Sequence, residues 1–464
     1  MTKRANGIIA LLITATCSGP VFAQHSGSQL AERPNILIIM TDQQTADAMS
    51  AAGNKDLHTP AMDGLAANGV RFTRAYCAQP LCTPSRTAIF SGCMPFETGF
   101  VGNAPEKDGQ WPDSLLMMGK IFKDGGYKTG YVGKWHLPVP AKKISQHGFD
   151  YIQNTAFLDF NDGATPSFCA KFIKENAKQP FLLVASFLNP HDICEWARAD
   201  AMKMDVLGAA PPASECPVLP ANWKKPANEP EIIREQQKVS FRTYPTVNWT
   251  GDQWRQYRWA YNRLVEKVDK YIEQVLFSLK KYGVEKNTII LFTADHGDGY
   301  AGHSWNQKQV LYEESARVPF IISRPGTWKA RTDDLLICNG TDIIPTICGF
   351  ANIKAPGYLK GIDVSKRIAD PAAALRDTLV IETDFADNEQ LLGISGRAVI
   401  TKDFKYIVYS KGKIREQLFN LDKDPGETNN LAVLPQYKKQ LQQMNRYLKT
   451  WGKKYKDPFV KELL

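Results

Sequence analysis

The feature that most restricts the fold is the segment Asn35–Met40 (NILIIM), where five apolar residues follow one another without a polar break. A strand with one wet face alternates in character. An unbroken apolar run therefore suits a strand covered on both faces, as in a parallel sheet sandwiched by helices. Similar runs recur at Tyr127–Val132, Phe181–Phe187, Thr288–Phe292 and Val318–Ile322. Helical periodicity lies between them, at Met62–Asn68, at Asp113–Lys123 with Gly125 as a stop, and from Gln256 to Tyr282 with Gly283 closing it. Strands alternating with helices predict an α/β fold with a mostly parallel central sheet flanked by helices. Toward the C-terminus, Val399–Thr401, Tyr406–Tyr409 and Gln417–Phe419 read as short antiparallel strands and Pro435–Tyr455 as a final helix, a smaller α+β subdomain. Residues 200–250 carry Pro211, Pro212, Pro217, Pro220, Pro226, Pro230 and Pro245, which predicts a long irregular insertion suited to wall or lid a substrate site.

The N-terminus has a different character. Lys3 and Arg4 precede the apolar run Ile8–Ile13, and small residues lead to Val21, Phe22 and Ala23, the layout of a secretory leader. The run is too short to span a bilayer, and no later stretch is apolar for long enough. We therefore expect a signal peptide over 1–23, a catalytic domain over 24–370, the C-terminal subdomain over 371–464, and export, to the periplasm if the source is bacterial. Besides Cys17, eight cysteines are scattered from Cys77 to Cys348 without a Cys-x-x-Cys pair. One or two disulfides fit that spacing, but a stapled framework or a zinc motif of that kind does not. With 43% hydrophobic and 23% charged residues the chain is neither disordered nor fibrous. Its formal charge of +9 falls by two when Lys3 and Arg4 leave with the leader, and the other basic residues are dispersed. Charge alone selects no partner.

In an open α/β sheet, ligands bind beyond the carboxyl ends of the strands. The residues there are Asp42 and Gln43, then Lys134, Trp135 and His136, then Asn189 to Asp192 with His191, then Asp295, His296, Gly297 and Asp298. Four of the seven histidines, His136, His191, His296 and His303, fall in or just after these loops. A single Asp after a strand is often only a turn or helix cap. Metal-ligand and acid/base types at every strand exit are a functional pattern.

The most specific segment is Cys82-Thr83-Pro84-Ser85-Arg86, followed by small and apolar residues up to Gly92. Pro84 suits a first helical turn and Gly92 a stop, so Cys82 is expected at a helix N-terminus, where free N–H groups favour an anion. Cys-x-Pro-Ser-Arg resembles the signature of the type I sulfatases of the alkaline-phosphatase-like superfamily, in which the cysteine is oxidised after translation to formylglycine. The rest of the chain resembles that family in the family's own order. Thr41–Gln44 is similar to its N-terminal metal pair and Gly133–Leu137 to its Gly-Lys-Trp-His loop. Pro190-His191 is similar to its Pro-His pair and Thr293–Asp298 to its second metal pair. His303, Lys308, Tyr312–Ser315 and Arg317–Pro319 resemble its His…Lys…Tyr-Glu-Glu-Ser…Arg-Val-Pro block, and Asp424, Pro425, Glu427, Asn430 and Leu431 the end of its C-terminal subdomain.

The resemblance implies a sulfuric ester hydrolase acting on a sulfated carbohydrate, such as a glycosaminoglycan, with a formylglycine gem-diol at position 82 as nucleophile. It implies one calcium ion held by Asp42, Gln43, Asp295, His296 and the residue-82 hydroxyl. Gln43 replaces the commoner second Asp, and His296 stands where many relatives have Asn. Arg86 and Lys134 are implied to hold the diolate, His136 to take the proton as the intermediate collapses, and His191, His303 and Lys308 to meet the sulfate beside Lys134. The general acid is His191 or, second, Lys308; His303 is either a sulfate contact or a packed core residue. Trp254, Tyr257, Trp259 and Tyr261 are expected on the buried side of the long helix, and Phe385, Arg397 and Lys402 as subsite contributors. A formylglycine-generating maturation enzyme is the implied protein partner. No nucleic-acid partner is expected, and the sequence leaves the oligomeric state open. Two alternatives stand beside this reading: a formylglycine-dependent phosphonate or phosphodiester hydrolase, and an exported glycan-binding protein whose site is silent because Cys82 is unconverted.

Overall fold

The computed structural model describes residues 1–2 and 33–463, apart from 105–108, 156–160, 201, 203–206, 240–245 and 388–389. The leader expected over 1–23, Cys17 included, lies outside the described residues except for its first two. Arg33 to the C-terminal end cluster as one unit.

Ten strands precede the C-terminal sheet: β1 (Asn35–Asp42), β2 (Gly69–Phe72), β3 (Ala75–Tyr76), β4 (Lys128–Gly133), β5 (Tyr151–Gln153), β6 (Phe181–Pro190), β7 (Thr288–Ala294), β8 (Phe320–Ser323), β9 (Arg331–Asp333) and β10 (Ile337–Cys338). Eight of them form the central sheet in the order β5-β4-β6-β1-β7-β8-β2-β9. Pairing is parallel from β5 through β7 and between β2 and β9, while β8 runs against both neighbours. The sheet is thus mixed, with one reversed strand among eight. Strand β1 lies at its middle and shows why its sequence is apolar throughout. Ile36, Ile38 and Met40 join the core on one face, with Ile89, Phe90, Ile343 and Ile347. Leu37 and Ile39 join the core on the other, with Leu65, Phe172, Leu264 and Val268. Both faces are dry, so neither parity of the strand tolerates a polar residue.

The helix Gly251–Lys281 carries much of the second face. It starts at a capping box in which Thr250 accepts from the Gln253 N–H and the Gln253 side chain accepts from the Thr250 N–H. Trp254, Tyr257 and Tyr261 lie on its buried side, as expected, while Trp259 is half-buried. The described part of the proline-rich segment 200–250 is mostly irregular but contains the helix Glu231–Val239, whose Ile232 and Ile233 are buried.

Four antiparallel strands, β11 (Leu379–Asp387), β12 (Gln390–Ile400), β13 (Phe404–Tyr409) and β14 (Glu416–Asn420), form the C-terminal sheet in that order. Alternation along them splits the sheet into two cores. Ile381, Phe385, Ala398, Ile400, Ile407 and Phe419 pack onto Trp305, Val310, Leu311 and Tyr312. Val380, Val399, Val408 and Leu418 pack onto Met444 and Leu448 of the helix Lys438–Tyr455. The inner face therefore supports the segment that carries Lys308. Arg397 and Phe385, expected as subsite contributors, are interior here. Arg397 is bound to Asp457 at 2.7 and 3.1 Å, tying the sheet to the C-terminal helices, and Phe385 is fully buried. No helix among the described residues is long and apolar enough to cross a membrane. The eight described cysteines are buried and none is paired in a disulfide among the described residues.

Candidate active site

The loops at the carboxyl ends of β1, β4, β6 and β7 converge on Cys82. This residue opens the helix Cys82–Ser91, which Gly92 ends in the left-handed region. Asp42 ends β1 and Asp295 follows β7 across one parallel pairing. Lys134 follows β4, where Gly133 has a φ of +109° and a Cβ would sit 1.8 Å from the Ser186 carbonyl oxygen. Only glycine lets the lysine loop approach β6 this closely.

Cys82 is 1% exposed. Its Sγ lies 3.0 Å from Lys308 Nζ, 3.2 Å from His296 Nε2, 3.7 Å from Asp42 Oδ1 and 3.9 Å from Lys134 Nζ. His136 and His191 also lie within electrostatic reach of it, with His136 Nε2 3.3 Å from Thr83 Oγ1. Burial pushes the Cys82 thiol up, but Lys134, Lys308 and His296 outweigh it and hold the thiol well below its ordinary range. Burial and the neighbouring thiolate work against ionisation of Asp42, yet Lys134 and Arg86 hold its carboxyl well below the usual carboxylate range. Asp295 shifts the other way, raised by burial and by Asp42. Burial keeps His136 and His191 below the ordinary histidine value, so both are neutral near pH 7.

The Arg86 guanidinium is fully buried and donates to Asp42 Oδ2 at 2.9 Å, Asp295 Oδ2 at 2.8 Å, and the Lys134 carbonyl and Ser186 Oγ at 3.0 Å each. It braces the two carboxylates beside Cys82. This bracing fixes which oxygens remain for a cation. Asp42 Oδ2 is taken by Arg86 and Lys134, the latter at 2.6 Å, leaving Oδ1 toward Cys82. Asp295 Oδ1 accepts the N–H groups of Gln43 and His296 at 3.1 and 2.8 Å. His296 Nδ1 lies 2.8 Å from the Gly297 carbonyl, so Nδ1 carries a proton and Nε2 faces the pocket, where it offers a lone pair once its own proton is displaced. Asp42, Cys82, Asp295 and His296 have donor atoms within 4.8 Å of one another, and Gln43 Oε1 faces the same side, 2.9 Å from Lys308 Nζ. Two carboxylates, an amide oxygen and an imidazole nitrogen fit one divalent cation.

His303 is placed elsewhere. Its ring stacks on Tyr312 at 4.0 Å, and its Nε2 lies 3.4 Å from Asn222 Nδ2 and 3.9 Å from Glu314 Oε2. Burial and the cations Arg234 and Lys405 push it down to about 3. Of the two readings open for this residue, the structure shows the packed one: it joins residue 222 of the insertion to the Glu314 segment. Sequence reasoning missed the supports of Gln43. Tyr261 Oη donates to the Gln43 carbonyl at 2.6 Å, and Asp298 accepts the Gln43 side-chain N–H at 2.8 Å. The signal was present: Tyr257 and Tyr261 are one helical turn apart, and Asp298 closes the Asp-His-Gly-Asp motif.

A buried nucleophile position ringed by cations and a cluster of cation-binding side chains, at the carboxyl edge of a mixed α/β sheet, fits a hydrolase of anionic esters. The chain belongs to the sulfatase family, whose profile matches residues 34–353. A profile described as N-sulphoglucosamine sulphohydrolase, C-terminal, matches residues 301–454. The chain is 30% identical over 451 residues to the Delta 4,5-hexuronate-2-O-sulfatase of Bacteroides thetaiotaomicron, covering 94% of this chain and 92% of that protein. It is 31% identical over 426 residues to an ulvan-active sulfatase of Formosa agariphila, covering 87% and 78%. A solved structure of a 2-O GAG sulfatase superposes with a TM-score of 0.81 at 29% identity, covering 93% and 94%. The phosphonate monoester hydrolase of Agrobacterium radiobacter shares the fold, with a TM-score of 0.70 at 19% identity over 90% and 95%. The protein is a sulfuric ester hydrolase.

Proposed function

We propose that the enzyme removes sulfate from a glycosaminoglycan fragment through a formylglycine made from Cys82 and one bound calcium ion, with 2-O-sulfated hexuronate as the first substrate to test. The observation that supports this most is the ring of Lys134, Lys308, His136, His191, His296 and Asp42 around one buried side chain at a helix start. Three cations, Arg86, Lys134 and Lys308, face two carboxylates and the thiolate. Replacing the thiolate by a neutral group leaves a positive pocket, and a divalent cation increases that charge, which suits a sulfate monoester.

Asp42, Gln43, Asp295 and His296 would hold the calcium ion, which would supply Lewis-acid stabilisation of a coordinated hydroxyl and of the sulfate charge. A formylglycine at position 82, once hydrated, would supply the attacking hydroxyl. Lys134, held to Asp42, and Lys308, held to Gln43, then keep two ammonium groups at the reacting centre. His136 is neutral and within reach of residue 82, as a base needs to be. His191 is also neutral in the free enzyme, where burial is reinforced by Lys134 and Lys308. A bound sulfate offsets those cations and lets His191 carry the proton that the leaving sugar oxygen requires. Cys82 is so buried that the maturation enzyme must act before its helix packs. Export is supported by the leader pattern from Lys3 to Ala23.

The test is turnover of matched sulfate, phosphate and phosphonate monoesters by enzyme co-expressed with a formylglycine-generating enzyme, with residue 82 identified by peptide mass. Preference for sulfate is expected; preference for a phosphorus ester would refute the assignment of substrate class.

A further inference from the structure

Gln43 is the least conventional part of the cation site, because an amide has one useful end. Its oxygen can bind a cation; its NH2 group repels one. The side chain has to be held the right way round, and its backbone is already unusual, with a φ of +66°, a conformation disfavoured for residues with a Cβ. Cys194 Sγ lies 3.5 Å from Gln43 Nε2 and 3.7 Å from its Oε1 and so favours neither orientation, but four other contacts hold this residue. The Gln43 N–H donates to Asp295 Oδ1 at 3.1 Å, and the Gln43 carbonyl accepts from Tyr261 at 2.6 Å. Gln43 Nε2 donates to Asp298 Oδ2 at 2.8 Å, while Gln43 Oε1 faces Lys308.

Asp298 is built for this task. It is fully buried, and its Oδ1 accepts the Tyr300 N–H at 2.7 Å. Its Oδ2 accepts the Gln307 N–H at 3.0 Å beside the Gln43 amide. The Tyr257 hydroxyl lies 2.9 Å from both oxygens. Because each oxygen already faces a backbone N–H, a carboxamide at 298 would turn its own NH2 onto a donor in either orientation. A carboxyl group is required, and among the described residues its side-chain amide partner is Gln43.

We propose that Asp298, backed by Tyr257, is a positioning residue that fixes the Gln43 amide with its oxygen toward the cation site. This rests on the calcium reading above and extends it to a residue outside the ligand set. Outer partners that orient a ligand are typically worth about 10–100-fold in metal affinity.

The test is calorimetric titration of Ca2+ into chelator-stripped full-length enzyme: wild type, Gln43→Ala, Asp298→Ala and the double variant. Wild type is expected to bind, and each single variant to bind about 10–100-fold more weakly. The double variant is expected to match Gln43→Ala within about twofold, because Asp298 acts only through Gln43. The melting temperature behaves differently: loss of support for the Tyr300 and Gln307 N–H groups lowers it in either background. If Asp298→Ala does not fold, Asp298→Ser replaces it, since a serine can accept the Tyr300 N–H two residues on but is too short to reach Gln43. Unchanged affinity in the Asp298 variant, or a double variant weakened by the product of both single effects, overturns the positioning role. Absence of Ca2+ binding in wild type overturns the calcium reading instead.

Discussion

Lys308 Nζ lies 3.0 Å from Cys82 Sγ although 226 positions separate them in the chain. The lysine is held there by backbone that cannot relax freely: Gln307 and Gln309 on either side have φ values of +60° and +76°. Gln309 is tied down by the C-terminal sheet. Its Oε1 accepts the Ala386 N–H at 2.7 Å, its Nε2 donates to the Ala386 carbonyl at 3.1 Å, and its own carbonyl accepts from Thr383 at 2.6 Å. The small sheet therefore braces the segment that carries Lys308, through the Gln309 side chain and its carbonyl among other contacts. Gln309→Ala is expected to lower kcat about 10-fold or more through misplacement of Lys308, while Thr401→Ala, in the turn between β12 and β13 and away from this contact, leaves kcat within about twofold. Steady-state kinetics on an aryl sulfate check both.

His191 and Lys308 make different predictions as proton donor. A sugar hydroxyl is a poor leaving group and needs protonation; a nitrophenolate does not. His191→Ala is expected to lose about 100- to 10,000-fold on a sulfated saccharide and far less on 4-nitrophenyl sulfate. Equal losses on both compounds would assign His191 to binding rather than proton transfer. Measuring kcat/KM for both compounds with His191→Ala and Lys308→Ala distinguishes the roles.

Asp295 joins the cation site to Arg86. Asp295→Ala removes a donor and leaves the buried guanidinium with one carboxylate instead of two. Calcium content and activity are expected to fall together, with a stability loss of about 3 kcal/mol from the broken buried pair. Chelation of wild-type enzyme is expected to abolish turnover, and added Ca2+ to restore it. Metal analysis alongside a thermal melt checks the prediction.

Stability should depend on pH through a site far from the chemistry. Glu382 is buried beside Arg397, Asp384 and Asp457, and burial pushes it up to about 8. Its Oε2 accepts no hydrogen bond among the described residues, with Arg397 at 3.7 Å. The unfolded side chain titrates near about 4.3. Between those values the folded chain holds a proton that the unfolded chain releases, so stability is full at low pH and declines as pH rises toward about 8. Each unit of difference corresponds to about 1.4 kcal/mol. Glu382→Gln keeps a neutral side chain of the same shape. Its melting temperature is expected to match wild type near pH 5 and to exceed it by several degrees above pH 8. Parallel melts at both pH values check the sign.

The central strands and the residues at their ends were legible because both rest on local rules: apolar runs, turn residues and motif spacing. The helix from Gly251 was anticipated only from Gln256, since Thr250 and Gln253 form its cap where polar composition reads as loop. The strand Leu379–Asp387 was missed because Glu382, Thr383 and Asp384 interrupt its apolar pattern. Glu382 instead accepts the Phe96 N–H and lies within reach of Arg397. Direction was less legible than existence: nothing in Phe320–Ser323 announces that β8 runs against its neighbours. Within the site, residue types were readable but orientations were not. Arg86 turning to the two aspartates, and His303 turning to Asn222 and Tyr312, are settled by partners far apart in the chain.

The most direct measurement is sulfate release from a 2-O-sulfated unsaturated hexuronate disaccharide, a panel of other sulfated saccharides and an aryl sulfate. Formylglycine-bearing enzyme would be run beside Cys82→Ala. Release by the enzyme from at least one saccharide, absent in a variant that keeps the wild-type melting temperature, is the predicted result. Equal release by Cys82→Ala, or none from any compound once residue 82 is confirmed as formylglycine, would contradict the account.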